Sequence, residues 1–218
     1  MPFLDLPPQM QERVVCSVTA AIKYEVPANL VLAVAEQEGG KPGQRVANSN
    51  GTEDVGAMQF NSAYLRDLTR QYGITADDVA QAGCYSYDLA AWRLRGHIRN
   101  DSGDFWTRAA NYHSRTPKYN AVYRANLMRI SEKWGNWLAE RFVTYDPNLA
   151  GASATVAVAR QANARQEQST MALPQAALTT ATGPVQIKPT AMSAQHQRYS
   201  NPAAEKALAD MYAPGLMK

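Results

Sequence analysis

The chain has 218 residues, 45% of them hydrophobic and 19% charged, which suffices for one well-buried domain plus an appendage. Its formal charge of +3 comes from Lys and Arg scattered along the chain, without the dense basic run that follows a phosphate backbone, so nucleic acid is not expected as a partner. No stretch reaches the roughly 18 uninterrupted apolar residues of a membrane-spanning helix, and the opening MPFLDLPPQM lacks the basic and apolar blocks of a signal peptide, so any export route is not legible here.

Met10, Val14, Val18 and Ile22 recur every four residues and predict an amphipathic helix carrying Cys16 near its buried side. Pro27 opens a second helix whose apolar face holds Leu30, Val31, Val34 and Ala35, and Gly39 with Gly40 stops it. Between residues 46 and 59 a small hairpin is expected around the Asn50-Gly51 turn. Thr75 and Asp78 have the spacing of a capping box, and Leu89, Trp92 and Ile98 mark the next long helix. Thr116-Pro117 starts the last one, which runs through Val122, Leu127, Ile130, Trp134 and Leu138. The four tryptophans, Trp92, Trp106, Trp134 and Trp137, fall at helical spacing and read as core before sugar platforms. The fold class is therefore mainly α, with at most one small β-hairpin.

Composition changes after about Phe142. Residues 144–218 are rich in Ala, Gln, Thr, Ser and Pro and offer too little large apolar surface to offset the entropy of ordering them, so residues 1–143 read as the domain and 144–218 as a flexible tail. Within it, 201–212 could form a short helix: Asn201 can cap, Pro202 suits the first position, and Ala204, Leu208, Met211 and Tyr212 share a face that could bind a partner.

Candidate chemistry begins with Glu38, which closes the apolar helix LVLAVAEQEGG. Unpaired carbonyls and the negative end of the helix dipole lie there, so the charged carboxylate is disfavoured and the proton held more tightly, as a general acid requires. Leu30, Val34 and Glu38 are four apart and share a face, whereas Glu36, rotated by roughly 200°, reads as a solvated charge. The segment Gly56-Ala57-Met58-Gln59-Phe60-Asn61 sets an apolar Met beside amides that can donate to and accept from sugar hydroxyls and acetamido groups. Asn111-Tyr112-His113-Ser114, then Asn120 and Tyr123, add aromatic edges and polar groups near a helix start. His97 and His196 have no ligand neighbours at metal spacing and read as surface or hydrogen-bonded histidines, so neither metal nor cofactor is expected. Cys16 and Cys84 form no CxxC pair; the choice is between a disulfide and two buried thiols.

Taken together, these motifs resemble those of the lytic transglycosylases with a goose-lysozyme-like catalytic domain, especially the small ones that accompany type IV secretion and conjugation machines. That family shows a helix ending in Glu-Ser-Gly, then Gly-Leu-Met-Gln, then Ala-Tyr-Asn with a downstream Tyr. Glu38-Gly39-Gly40, Gly56-Ala57-Met58-Gln59, and Asn111-Tyr112-His113 with Tyr123 stand here in the same order and at like separations, over residues 14–137. Gly39 departs from the family's Ser and His113 from its Asn, which weakens the orienting role given to that Ser.

The resemblance implies a lysozyme-like helical domain that binds peptidoglycan glycan strands through Gly56, Met58, Gln59, Asn61, Tyr112, His113 and Tyr123. Met58 and Gln59 would line the groove, and Tyr112 would hold the catalytic carboxyl or the substrate acetamide. Cysteines flanking the domain recur in the secretion-associated subgroup, which implies a bridge between Cys16 and Cys84; closing a loop of nearly seventy residues would contribute about 4 kcal/mol.

Ordinary glycosidases use two carboxylates. Here one is evident, with Glu53 and Asp54 in the hairpin as remote candidates for a second. The resemblance implies instead that Glu38 protonates the oxygen between N-acetylmuramic acid and N-acetylglucosamine, then as a base removes the proton of the muramoyl 6-hydroxyl, giving a 1,6-anhydro sugar. The setting so implied is the periplasm or cell envelope, with the tail engaging an envelope-spanning secretion machine. Rival readings are a hydrolytic lysozyme, one delivered by a phage or virion included, and a non-catalytic glycan-binding scaffold.

Overall fold

The computed structural model describes residues 6–142, 144–145, 183–187, 206 and 209. It is built around one helix. After α1 (Pro8–Lys23), α2 (Ala28–Glu38) has residues 28–35 all buried and packs against α1, the later helices and a strand near the C-terminus; a helix apolar on every side belongs in the interior. Its interior position lets its C-terminal end be aimed at a site.

The expected hairpin is a three-stranded antiparallel sheet. β1 (Arg45–Ala47) pairs with β2 (Glu53–Val55), and β2 pairs with β3 (Phe60–Asn61) in the register Val55↔Phe60. Residues 48–52 connect β1 and β2, with Asn48 N–H donating to the Thr52 carbonyl (2.7 Å) and Gly51 left-handed at φ +77°, so the reversal is longer than the two-residue turn expected at Asn50-Gly51.

Next come α3 (Ser62–Tyr72), capped by Asn61 and ended by left-handed Gly73, and α4 (Ala76–Ala80), opened by the Thr75–Asp78 capping box. They are followed by α5 (Tyr85–Asn100), α6 (Phe105–Ala110) and the 25-residue α7 (Pro117–Arg141). Trp134 is core, and Trp92, Trp106 and Trp137 pack half-buried against it, as their spacing predicts.

A disulfide joins Cys16 in α1 to Cys84 at the start of α5, closing the reading that the residues left open. Lys23 and the fully buried Asp88 add an ion pair between the same helices at 2.8 Å. Glu36 is not the solvated charge expected: it accepts from Lys133 Nζ (2.6 Å) and Trp134 Nε1 (2.8 Å), fastening α2 to α7.

Within 144–218, β4 (Thr144–Tyr145) pairs antiparallel with β5 (Gln186–Ile187). Residues 185–187 are buried against α1 and α2. Fully buried Asn29 accepts from Val185 N–H (2.7 Å) and donates to the carbonyls of Gly183 (2.9 Å) and Ser131 (3.1 Å), while Gln186 donates to the carbonyls of Val26 and Ala21. The composition of this stretch carries no sign of that docking. Lys206 and Ala209 are helical and exposed; the remainder of 201–212 and His196 lie outside the described residues.

Candidate active site

Gly39 ends α2 in the left-handed conformation (φ +63°), its N–H bonded to the Ala35 carbonyl, and the chain then passes through Gly40. A side chain at Gly40 would put its Cβ 2.2 Å from the Gly56 carbonyl oxygen and 3.0 Å from that of Ala57, so the end of α2 lies directly on the turn between β2 and β3. That close approach, which only glycine permits, sets Glu38 beside residues 56–59.

Glu38 is half-buried and points toward α7, where Tyr123 Oη donates to its Oε1 at 2.6 Å. Burial pushes its pKa from the ordinary 4.5 up to about 7, against the downward pulls of the Tyr123 hydrogen bond and the nearby Arg93 charge; Asp54 adds a smaller upward push. The carboxyl is thus half-protonated near neutral pH, as a group that must first donate and then accept a proton requires.

Tyr123 is itself buried, and the His113 ring lies flat on it with centroids 4.8 Å apart and planes 2° from parallel. Burial lowers the pKa of His113, keeping its ring neutral more readily. Tyr112 takes a different role: its hydroxyl donates to the Met58 carbonyl at 2.9 Å, tying α6's exit to the 56–59 turn, so the contact with the Glu38 carboxyl belongs to Tyr123.

Several residues expected to line a groove are instead packed inward or already hydrogen-bonded within the fold. Met58 is fully buried, because the turn folds its side chain into the core and leaves its carbonyl to Tyr112. Gly56, at φ +72°, is buried with its virtual Cβ 2.5 Å from the Val79 carbonyl, so it serves close backbone packing. Asn61 caps α3 by accepting from Ala63 N–H (3.0 Å) and donates to Thr52 Oγ1 and Asp54 Oδ1, so its amide is already occupied. Gln59, in the left-handed region at φ +48°, folds its amide back to donate to the Gly56 carbonyl (2.9 Å). The structure therefore brings Glu38, Tyr123, His113 and Gln59 together around the end of α2.

One residue of the site had no motif to signal it. Arg93 of α5 lies 4.4 Å and 4.7 Å from the ring centroids of Tyr64 and Tyr112 and acts electrostatically on Glu38, His113 and Tyr123. It stands one turn after fully buried Leu89, so a charge four residues along an apolar face was the available clue. Of the remote carboxylates, Glu53 is paired with Arg45, whereas Asp54 lies near enough to act on both Glu38 and His113.

His97 is buried with Nδ1 2.7 Å from Asp101, hydrogen-bonded as expected on that side of the ring, while its buried Nε2 has no partner among the described residues. Among the described residues no group of three or more His, Cys, Asp or Glu side chains could hold a metal ion, and no helix is long and apolar enough to cross a membrane.

Residues 16–126, just over half of the chain, match the Transglycosylase SLT domain. The chain belongs to that family. Among curated relatives, it is 27% identical over 121 residues to the invasion protein IagB of Salmonella typhimurium, covering 55% of this chain and 74% of the relative. It is also 30% identical over 102 residues to protein IpgF of Shigella flexneri, covering 46% and 66% respectively. The matched span opens at Cys16 and closes in α7 just after Tyr123, so it contains Glu38, the 56–59 turn and His113. Membership in this transglycosylase family makes peptidoglycan the implied substrate.

Proposed function

We propose that this SLT domain is a peptidoglycan lytic transglycosylase that cleaves the β-1,4 bond between N-acetylmuramic acid and N-acetylglucosamine, with Glu38 as acid and then base. The observation that carries the reading is the Glu38 carboxyl, with a pKa near 7, held by Tyr123 at the end of a buried helix. Protonated Glu38 donates to the glycosidic oxygen while the muramoyl acetamide carbonyl shields the developing oxocarbenium ion. The resulting carboxylate, stabilised by Tyr123, takes the proton of the muramoyl 6-hydroxyl, whose oxygen bonds to the anomeric carbon and forms the 1,6-anhydro product. Proton and bonds balance with no water consumed.

The groove residues in this proposal are Gln59, His113 and Tyr123, on a floor fixed by Gly56, Met58, Asn61 and Tyr112. The proposed setting is the periplasm or cell envelope, where local cleavage opens the wall for a secretion or conjugation machine that the C-terminal stretch engages. The invasion-protein name of one relative fits that setting.

Glu38→Gln keeps the shape and removes the proton transfer, so release of soluble fragments from purified sacculi should fall at least a thousandfold. Unchanged release of anhydro-sugar products would remove Glu38 from the mechanism. Asp54 supports one rival, because its charge acts on Glu38 and it could activate water as in a hydrolytic muramidase. Mass spectrometry of the digest separates the two, since hydrolysis leaves a reducing end heavier by one water.

A further inference from the structure

Arg93 makes no hydrogen bond and no ion pair among the described residues. The π faces of Tyr64 and Tyr112 attract its guanidinium and fix its plane, yet they leave five N–H donors without an acceptor. This half-buried fork lies on the wall of a cleft of about 280 Å³ that it shares with Tyr64, Trp92, His97, Asp101 and Arg115. The carboxylate in that wall is engaged elsewhere: Asp101 receives Arg115 (3.0 Å), His97 (2.7 Å) and Asn111 (2.8 Å). Arg93 packs on the ring of Tyr112, whose hydroxyl holds the Met58 carbonyl, so one tyrosine separates this cleft from the 56–59 turn that flanks Glu38.

A guanidinium with a free planar fork matches a carboxylate in two-point contact. The peptidoglycan sugar backbone is neutral where the muramoyl lactyl group is amide-linked, and its carboxylates then sit on the attached peptide. We propose that Arg93 binds a carboxylate of the peptide carried by the muramoyl residue, and that this cleft receives the peptide's acidic end. The inference rests on peptidoglycan being the substrate and makes the site selective for peptide-bearing strands.

The test is a binding titration of the full chain at pH 5, where Glu38 carries its proton and peptide carboxylates are ionised. Three ligands are compared: the disaccharide tetrapeptide muropeptide, the same molecule with its carboxyls converted to carboxamides, and the neutral hexamer of N-acetylglucosamine. Wild-type protein should bind the free-acid muropeptide about tenfold more tightly than the amidated one, the range for hydrogen bonds to a charged group. Arg93→Met should erase that ratio while leaving affinity for the neutral hexamer unchanged, and Arg93→Lys should restore part of it.

Equal binding of the two muropeptides by wild type, or no detectable binding of the free acid, overturns the proposal; this arm needs no variant to fold. Loss of hexamer affinity in Arg93→Met matching the loss for muropeptide also overturns it. A role exercised only through Glu38 would shift the pH profile of cleavage and leave the muropeptide ratio intact, which would equally sink it. None of these readouts requires bond cleavage, so failure of the transglycosylase mechanism is seen separately, in the digest products.

Discussion

Glu38 is held between two opposing influences, and the balance sets its working pH. Burial favours the neutral acid, while Tyr123 and Arg93 favour the carboxylate. Since the first step of the proposed mechanism needs the proton, cleavage should decline as pH rises through about 7. In Tyr123→Phe the donor that stabilises the charged form is gone, so the falling limb of the pH profile should move to higher pH. Turnover should drop about tenfold to a hundredfold because the returning base is less well stabilised; a profile at the wild-type position would show that the contact is idle.

Stability carries the same sign. Between 4.5 and about 7 the unfolded chain has released a proton that the folded protein still holds, so stability falls across that window and stays lower above it. Glu38→Gln should therefore melt higher than wild type at pH 8, by a few degrees, and equally at pH 4, as thermal unfolding at the two values will show.

At the scale of elements, the site depends on one backbone contact, the end of α2 against the turn between β2 and β3. Gly40→Ala would drive a Cβ into the Gly56 and Ala57 carbonyls, neither of which is a flexible side-chain end. Overpacking of this kind costs about 1–3 kcal/mol, and here relief requires α2 and the turn to separate. The expected result is lowered stability in denaturant unfolding together with a loss of activity that persists well below the melting temperature, because Glu38 and Gln59 no longer share a wall. Retained activity with unchanged stability would show that the two elements are less tightly joined. The same geometry accounts for Gly39 standing where the resembling family has Ser: the left-handed cap is met at no steric penalty by glycine.

Across the whole molecule, long-range connections hold α1, α2 and α5 around the site. The Cys16–Cys84 bridge spans 68 residues that include Glu38 and the entire three-stranded sheet. Chain-entropy arguments give about 4 kcal/mol for a loop of that length. Reduction, or a double Cys→Ser substitution, should lower the unfolding free energy by roughly that amount in guanidinium titration. An indifferent midpoint would mean that packing of α1 on α5 already closes the loop. At the other end of α2, Asn29 and Gln186 close the hydrogen bonds of β5 against α1 and α2. Residues 156 to 165 positions apart in sequence thus share one core.

Periodicity alone located α1, α2, α5 and α7, because each carries an apolar stripe at helical spacing bounded by Pro, Gly or a cap. Glu38 was legible for the same reason, as a carboxylate at the tip of an apolar helix, and the three motifs in order carried the family. The short α6 and the narrow stripe of α3 gave too little pattern to stand out.

What required the tertiary structure is every relation between distant segments. Tyr123 rather than Tyr112 reaches the acid, Met58 turns inward, and Arg93 arrives between two tyrosines with its donors unused. Local spacing fixes which face of a helix a side chain occupies, but whether that face meets core, cleft or partner depends on how whole elements cross. That crossing is decided by packing of the entire core and is written at no single position in the chain.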